Sequence, residues 1–369
     1  MASKIAIVHE FFNKLGGAER TLLEMLKSLE GLDVEVFFLS ADPEMIKRYL
    51  PNVKVHVSWP GKYNWFRKFN RLFVGLFPRL IEGFDLGKFD IVLCSSNSFA
   101  HGVISKTEAT VICYYHSPCR YLWDWKNEYE KENKLTGIKG LVAKLILHRQ
   151  RIWDYLAAQR VDIAIANSEN VALRIRKYYK RESQILYPPV ELRNFDEKCL
   201  NWKNRDDFYL IASTITPYKK IDLAVRAFNK LGLKLVVAGN GPQLNELKQI
   251  AKSNVKFLGF VSDEKLSKLM STARGFVFAG EEDFGIAPVE AMGHGCPVIA
   301  YEKGGLKETV IEGETGCFFD GSLENLCEKL EWYDQNYSMF DPSNCHRRSL
   351  SFSSENFRLK IKQIIQKYV

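Results

Sequence analysis

No stretch of this chain approaches the ~20 consecutive apolar residues that a membrane-spanning helix needs, although 46% of its 369 residues are hydrophobic. Apolar residues at the start run only over positions 5–8, too short for the core of a secretion signal. A cytoplasmic chain is therefore expected. Neither GxGxxG nor GxxxxGK[ST] occurs, which argues against the common dinucleotide and P-loop phosphate sites. None of the eight cysteines forms a CxxC pair, and several lie in apolar runs. Buried free thiols are expected rather than a disulfide framework or a zinc site. Acidic excess is missing too. Residues 1–188 hold 28 Lys/Arg against 20 Asp/Glu, and residues 189–369 hold 24 of each. The whole net charge of +8 thus sits in the first half, which is the half expected to meet any anionic surface or substrate.

What the chain does have is length for two domains and an alternation of short apolar runs with helical patterns. In the first half, strands are expected over 4–8, 34–39, 89–95, 110–115, 161–166 and 183–187, with a helix over 18–29. Pro188-Pro189 stops either kind of element. The pattern then restarts, with strands expected over 208–212, 233–238, 255–258, 275–278 and 297–300. Buried strands between helices argue for a parallel α/β sheet in each half. The expected division is 1–188, 189–353, and a C-terminal helix over 354–369 that packs back toward the first domain. Phe357, Ile361, Ile364 and Ile365 would form its apolar side. Two such halves on one hinge would leave a ligand cleft at their strand C-terminal edges.

The most informative segment is Glu282-Asp283-Phe284-Gly285-Ile286-Ala287-Pro288-Val289-Glu290. Pro288 suits the first turn of a helix. The N–H groups of Gly285, Ile286 and Ala287 would then form a natural phosphate seat, with a carboxylate on either side to take sugar and ribose hydroxyls. Ordinary acids at a helix start would look the same. Further candidates follow strands. Gly16-Gly17 opens the first helix. His116 and Arg120 lie in Tyr-His-Ser-Pro-Cys-Arg-Tyr at 115–121. Lys219-Lys220 follows the first strand of the second half, and Gly239-Asn240-Gly241 follows its second. Each has a bland reading as a turn, a packed histidine or a solvated lysine. Residues 59–84 interleave Trp59, Tyr63, Trp65, Phe66, Phe69, Phe73 and Phe77 with Lys62, Arg67, Lys68, Arg71 and Arg79. That mixture suits an anionic membrane surface, stacked single-stranded nucleic acid, or a helix with aromatics in the core. Residues 138–160 form a second basic, amphipathic run.

Taken in order, these motifs resemble family 4 of the glycosyltransferases, retaining enzymes of the GT-B fold. The set includes Gly-Gly-Ala-Glu-Arg at 16–20, Ala-Asn-Ser at 166–168, Tyr-Pro-Pro-Val at 187–190, Pro-Tyr-Lys-Lys at 217–220, Gly-Asn-Gly-Pro at 239–242 and Leu-Gly-Phe-Val-Ser-Asp at 258–263. The details look most like prokaryotic mannosyltransferase-type enzymes that build polysaccharides on lipid carriers. The resemblance implies two Rossmann-like domains and transfer of a sugar from a nucleotide diphosphate sugar, with no metal and no cofactor. Glu282 would hold sugar hydroxyls, supported by backbone N–H groups at Phe284, Gly285 and Ile286. Glu290 would bind ribose, Lys219 with Lys220 the diphosphate, and the loop containing Val261 the base. Gly16 and Gly17 would let their loop close on the diphosphate. His116 would contact the donor sugar near the acceptor, with Arg120 on the acceptor side. GDP-mannose is the expected donor and a glycan or lipid-linked molecule the expected acceptor. An anionic membrane would be met through residues 59–84, on the inner face of the cell membrane, and no nucleic acid is expected. One position departs from the pattern. Thr214 stands where the family commonly has an arginine, five residues before Lys219. Alternatives are a nucleotide-sugar epimerase on the same fold and a non-catalytic nucleotide-sugar or membrane-binding scaffold.

Overall fold

Apolar runs recurring between helices build two all-parallel sheets in the computed structural model, which describes residues 3–368. Clustering of contacts divides the chain into a first unit, Met1–Tyr187 with Phe357–Val369, and a second unit, Pro188–Asn356.

The first unit's sheet contains β1 (Lys4–Phe12), β2 (Asp33–Ala41), β3 (Lys54–Val57), β4 (Ile91–Ser96), β5 (Thr110–Tyr115), β6 (Ile163–Ala166) and β7 (Gln184–Ile185). Their order is β3-β2-β1-β4-β5-β6-β7. Successive side chains of a strand point to opposite faces, and both faces of this sheet are buried. Ala6, Val8, Val92 and Cys94 join the core on one side, while Ile5, Ile7, Ile91 and Leu93 join the core on the other. The C-terminal helix Ser354–Gln366 completes the second of these cores with Phe357, Ile361 and Ile365. Phe357 packs edge-on to Tyr114 with ring centroids 5.7 Å apart, and Arg358 pairs with Glu24. Val369, the last residue of the expected helix, lies outside the described residues.

The second unit's sheet contains β8 (Tyr209–Ala212), β9 (Leu235–Ala238), β10 (Val255–Gly259), β11 (Gly275–Phe278), β12 (Val298–Tyr301) and β13 (Gly316–Phe319). Their order is β10-β9-β8-β11-β12-β13. In each sheet the strand order reverses once, between β1 and β4 in the first unit and between β8 and β11 in the second. Open parallel sheets bind ligands outside the strand C-termini at that reversal.

Several boundaries differ from expectation. β1 runs on to Phe12 instead of ending at Val8, because polar His9 and Glu10 both find buried partners. β3 was not expected. Its Lys-Val-His-Val is a half-buried edge without an apolar run. β13 was also missed, since Gly-Cys-Phe-Phe is short and β-poor at its start. All eight cysteines are buried and free.

Candidate active site

In the second unit, the loops leaving β8 and β11 stand side by side at the strand-order reversal, and they carry Lys219 and Glu282. After β8 the chain makes a short turn, Pro217–Lys219, and enters helix Ile221–Leu231 through Lys220. Lys220 sits in the left-handed region at φ 48°, a conformation that costs a non-glycine residue about 1–2 kcal/mol. Lys219 Nζ pairs with Glu282 Oε1. It also lies 5.1 Å from the ring centroids of both Tyr218 and Phe278, so two aromatic faces and one carboxylate hold the ammonium. The two loops meet because position 280 is glycine. A Cβ there would lie 2.8 Å from both Lys219 Cα and the Tyr218 carbonyl oxygen.

Glu282 is fixed from the other side by a loop for which no role was expected. Gly305 N–H donates to the Glu282 carbonyl at 2.9 Å, and Glu282 bridges to Gly304. Any side chain at Gly305 would meet the Asp283 carbonyl oxygen at 2.2 Å. Lys303 in the same loop pairs with Glu281 at 3.1 Å. The signal was present in the sequence as Gly-Gly shortly after β12.

Gly285 caps helix Ile286–Gly293 at φ 89°. The helix therefore begins just beyond Glu282, with Pro288 in its first turn and half-buried Glu290 in its second. Glu282 thus precedes the helix N-terminus and Glu290 follows it, and the backbone N–H groups of that N-terminus favour an anion between them. The turn after β9 packs against the loop after β8. Gly239 N–H donates to the Gly259 carbonyl at 2.7 Å, and Ile215 N–H to the Asn240 carbonyl at 3.0 Å. Gly259 ends β10, half-buried Val261 follows, and Phe260 between them is 83% exposed. That large exposed ring at a strand C-terminus was not singled out from sequence. Thr214 is exposed and brings no charge to the site.

In the first unit, the reversal point is filled by polar groups that are themselves buried. Glu10, fully buried on β1, accepts backbone N–H groups from Asn97, Ser98, Phe99 and Ala100, at 2.7 Å for Phe99 and 2.8 Å for Ala100. The Ser96 hydroxyl adds a further bond. Burial pushes this carboxyl up. The charge of neighbouring His9 and the N–H groups at Ala100, Ser98 and Phe99 outweigh that effect and hold it below the ordinary range. Glu10 thereby organises the whole loop after β4. Sequence pattern alone did not reveal it, because an acid inside an apolar strand reads as a strand end.

Ser95 Oγ lies 3.0 Å from His9 Nδ1 and 2.9 Å from His116 Nε2, which links the C-terminal ends of β1, β4 and β5. His116 follows β5, with its N–H donating to the Ser96 carbonyl. Burial, reinforced by the charge of His9, pushes His116 down to about 3. It is a neutral imidazole at physiological pH, able to offer or accept one hydrogen bond but not to act as a cation. Gly16 precedes helix Gly17–Ser28, and its N–H donates to Glu19 Oε2 at 2.8 Å. That N–H is held by the chain's own carboxylate here. Arg120 lies 3.9 Å from Asp124. The expected residues therefore fall into two groups, one in each unit. Lys219, Lys220, Val261, Glu282, Phe284, Gly285, Ile286 and Glu290 belong to the second unit; Gly16, Gly17, His116 and Arg120 belong to the first.

Comparison with known proteins bears on family and fold. Residues 15–194 match the model described as Glycosyltransferase Family 4, and residues 193–339 match Glycosyl transferases group 1. The chain is 24% identical to alpha-1,3/1,6-mannosyltransferase ALG2 of Dictyostelium discoideum, covering 98% of each. It is 28% identical to O-antigen chain mannosyltransferase C of Escherichia coli over 158 residues, covering 39% of this chain and 43% of that one. The crystal structure of Anabaena Alr3699/HepE in complex with UDP has the same fold, with a TM-score of 0.71 and 17% identity, covering 99% of this chain and all of that one. Two family models that tile the chain from 15 to 339, and a doubly sheeted fold that carries their motifs in order, lead to one conclusion: the chain belongs to the family 4 glycosyltransferases of the GT-B fold.

Proposed function

We propose that this enzyme transfers mannose, with retention of configuration, from GDP-mannose to a glycan or lipid-linked acceptor. The observation that carries the reading is the Lys219–Glu282 pair beside the N-terminus of helix Ile286–Gly293. The mannosyltransferase names of the relatives support the choice of sugar. The hard part of such a transfer is to stabilise a departing diphosphate together with an oxocarbenium-like sugar. A lysine and a row of helix N–H groups supply preorganised positive potential for the first. Glu282 takes sugar hydroxyls, and Glu290 takes those of the ribose. When donor binds, Lys219 exchanges part of its contact with Glu282 for the diphosphate. With Thr214 contributing no charge, Lys219 carries most of that load, with Lys220 beside it. Val261 and exposed Phe260 face the base. Gly16 and Gly17 accommodate the diphosphate from their loop once Glu19 releases the Gly16 N–H. Neutral His116 orients the sugar, and Arg120 belongs to the acceptor side. The acceptor proton leaves with the departing phosphate, so no separate base is assigned, and no metal or cofactor is required. The site works at the inner face of an anionic membrane, which residues 59–84 engage.

Incubation of labelled GDP-mannose with acceptor lipid or glycan tests the reading. Glu282→Ala and Lys219→Ala should each lower the transfer rate about a hundredfold, as expected for contacts made in the transition state. Rates within about twofold of wild type for both variants would refute it. Turnover of donor without acceptor into an isomeric nucleotide sugar would instead establish an epimerase.

A further inference from the structure

The helix Gly137–Ala158 leaves most of its large apolar side chains outside. Its buried positions are Gly140, Leu147, Gln150, Asp154, Ala157 and Ala158, so two of the six are polar. Each of these polar groups has a partner inside: Gln150 Nε2 donates to the Val74 carbonyl, and Asp154 accepts from Trp123 Nε1 at 2.6 Å. The outward positions include most of its large apolar side chains, interspersed with Lys139, Lys144, His148 and Arg149. Ile138 is 84% exposed, and Leu141, Val142, Leu145, Ile152 and Leu156 are each at least half exposed. A helix on a water-facing surface has the opposite pattern. This surface is continued by a neighbouring segment. Gly75 approaches the Ile146 side chain, and the same Gln150–Val74 bond ties the helix to turn Asn70–Leu76. There Leu72 is 78% exposed and Leu76 about half. The aromatics of residues 59–84 divide in two. Phe66, Phe73 and Phe77 turn inward to the core. Trp59, Tyr63, Trp65 and Phe69 stay outside, in a chain of ring contacts that runs from Trp59 through Tyr63 to Trp65.

The exposed charge carried by these two segments is basic, and an acid outside them, Glu130, pairs with Lys144 of the helix at 3.2 Å. Neither residues 59–81 nor residues 137–153 contain an aspartate or glutamate. Exposed Lys62, Lys68, Lys139 and Arg149 lie among the apolar side chains. No helix among the described residues is long and apolar enough to cross a membrane. From these observations we infer that helix Gly137–Ala158 and residues 59–76 form one docking face that lies flat in the surface of an anionic lipid bilayer. Apolar side chains enter the acyl boundary, exposed rings sit at headgroup level, and the basic residues meet lipid phosphates. A second copy of the chain would fit the apolar area, but Lys62, Lys68, Lys139 and Arg149 would face their own copies across a two-fold contact. The face is independent of the donor site and stands or falls separately from the proposed reaction.

Co-sedimentation of the full chain with vesicles of phosphatidylcholine alone, and with 30% phosphatidylglycerol, tests it. Binding to the anionic vesicles should exceed binding to neutral ones at least tenfold at 50 mM NaCl and fall at least fivefold at 500 mM. The triple variant Ile138→Ser, Leu141→Ser, Leu145→Ser changes only exposed side chains, so it should keep the wild-type Tm and lose most binding. A Lys139→Glu, Arg149→Glu double variant should lose it as well. Equal binding by wild type and the triple variant would overturn the proposal. So would concentration-dependent dimers, seen by sedimentation velocity, that the triple variant abolishes while vesicle binding stays absent.

Discussion

The two sheets share one architecture but use their reversal points in opposite ways. In the first unit the point between β1 and β4 is organised chiefly by hydrogen bonds within the protein. Glu10 spends its carboxylate on four consecutive backbone N–H groups, and Ser95 bonds to both His9 and His116. In the second unit the corresponding point between β8 and β11 presents a half-buried carboxylate paired with a lysine that also lies over two rings. Buried charge saturated by backbone builds a scaffold, whereas charge balanced by one side-chain partner can be given up to a ligand. The same contrast appears at the surface. The +8 of the chain lies in the first unit's half of the sequence, and so does the exposed apolar helix. The second half is neutral and holds the proposed donor site.

The comparison breaks most visibly if the two acids are exchanged for their amides. Glu10→Gln keeps the shape but removes the charge that four N–H groups address and turns an NH₂ toward them. A loss of about 3 kcal/mol is expected for the charge-assisted bonds, seen as a Tm fall of roughly 6–12 °C by calorimetry. Glu282→Gln should shift Tm by less than about 2 °C, since it severs one partly exposed ion pair. A Glu282→Gln variant as unstable as Glu10→Gln would erase the distinction between scaffold and site.

A smaller effect concerns acid. His116 is held down to about 3 and His294 of the second unit to about 4, each mainly by burial. Both folded values lie below the ordinary 6.5, so between those limits the unfolded chain takes up protons that the folded chain refuses. Stability is therefore complete above pH 6.5 and declines as pH falls toward 4. Carboxylates held low, Glu10 and Glu35 (about 2), add their loss only below their ordinary 4.5. Urea melts at pH 7.5, 6.5 and 5 should show the midpoint falling chiefly over the last interval. A His294→Asn variant should flatten that fall, and an unchanged slope would show that this histidine does not carry it.

Much of this was legible in the sequence because local and long-range requirements coincide there. Apolar runs between helices mark the central strands of both sheets. Lys219, Glu282 and Gly285 each have a bland structural reading alone, and become site candidates through the order of the motifs that carry them. Legibility failed where a residue's role depends on distant partners. Glu10 is contacted by residues 86–90 positions away. Gly304-Gly305 acquires meaning only against the Glu282 backbone. Residues 138–160 read as basic and amphipathic, but sequence could not say that Ile138, Leu141, Val142 and Leu145 stay exposed while Gln150 and Asp154 are buried. The division of the aromatics at 59–84 between core and surface likewise depends on packing that no periodicity reveals.

Ligand-induced stabilisation tests the central assignment most directly. Differential scanning fluorimetry of wild type and Lys219→Ala, each titrated with GDP-mannose and with UDP sugars, isolates donor binding from acceptor and membrane. Saturating donor at about a hundred times its Kd should stabilise wild type by about 2.7 kcal/mol, and Lys219→Ala should lose most of that rise while Lys256→Ala keeps it. A Tm that no nucleotide diphosphate sugar raises, or one that rises equally in Lys219→Ala, would contradict the placing of the donor diphosphate at Lys219.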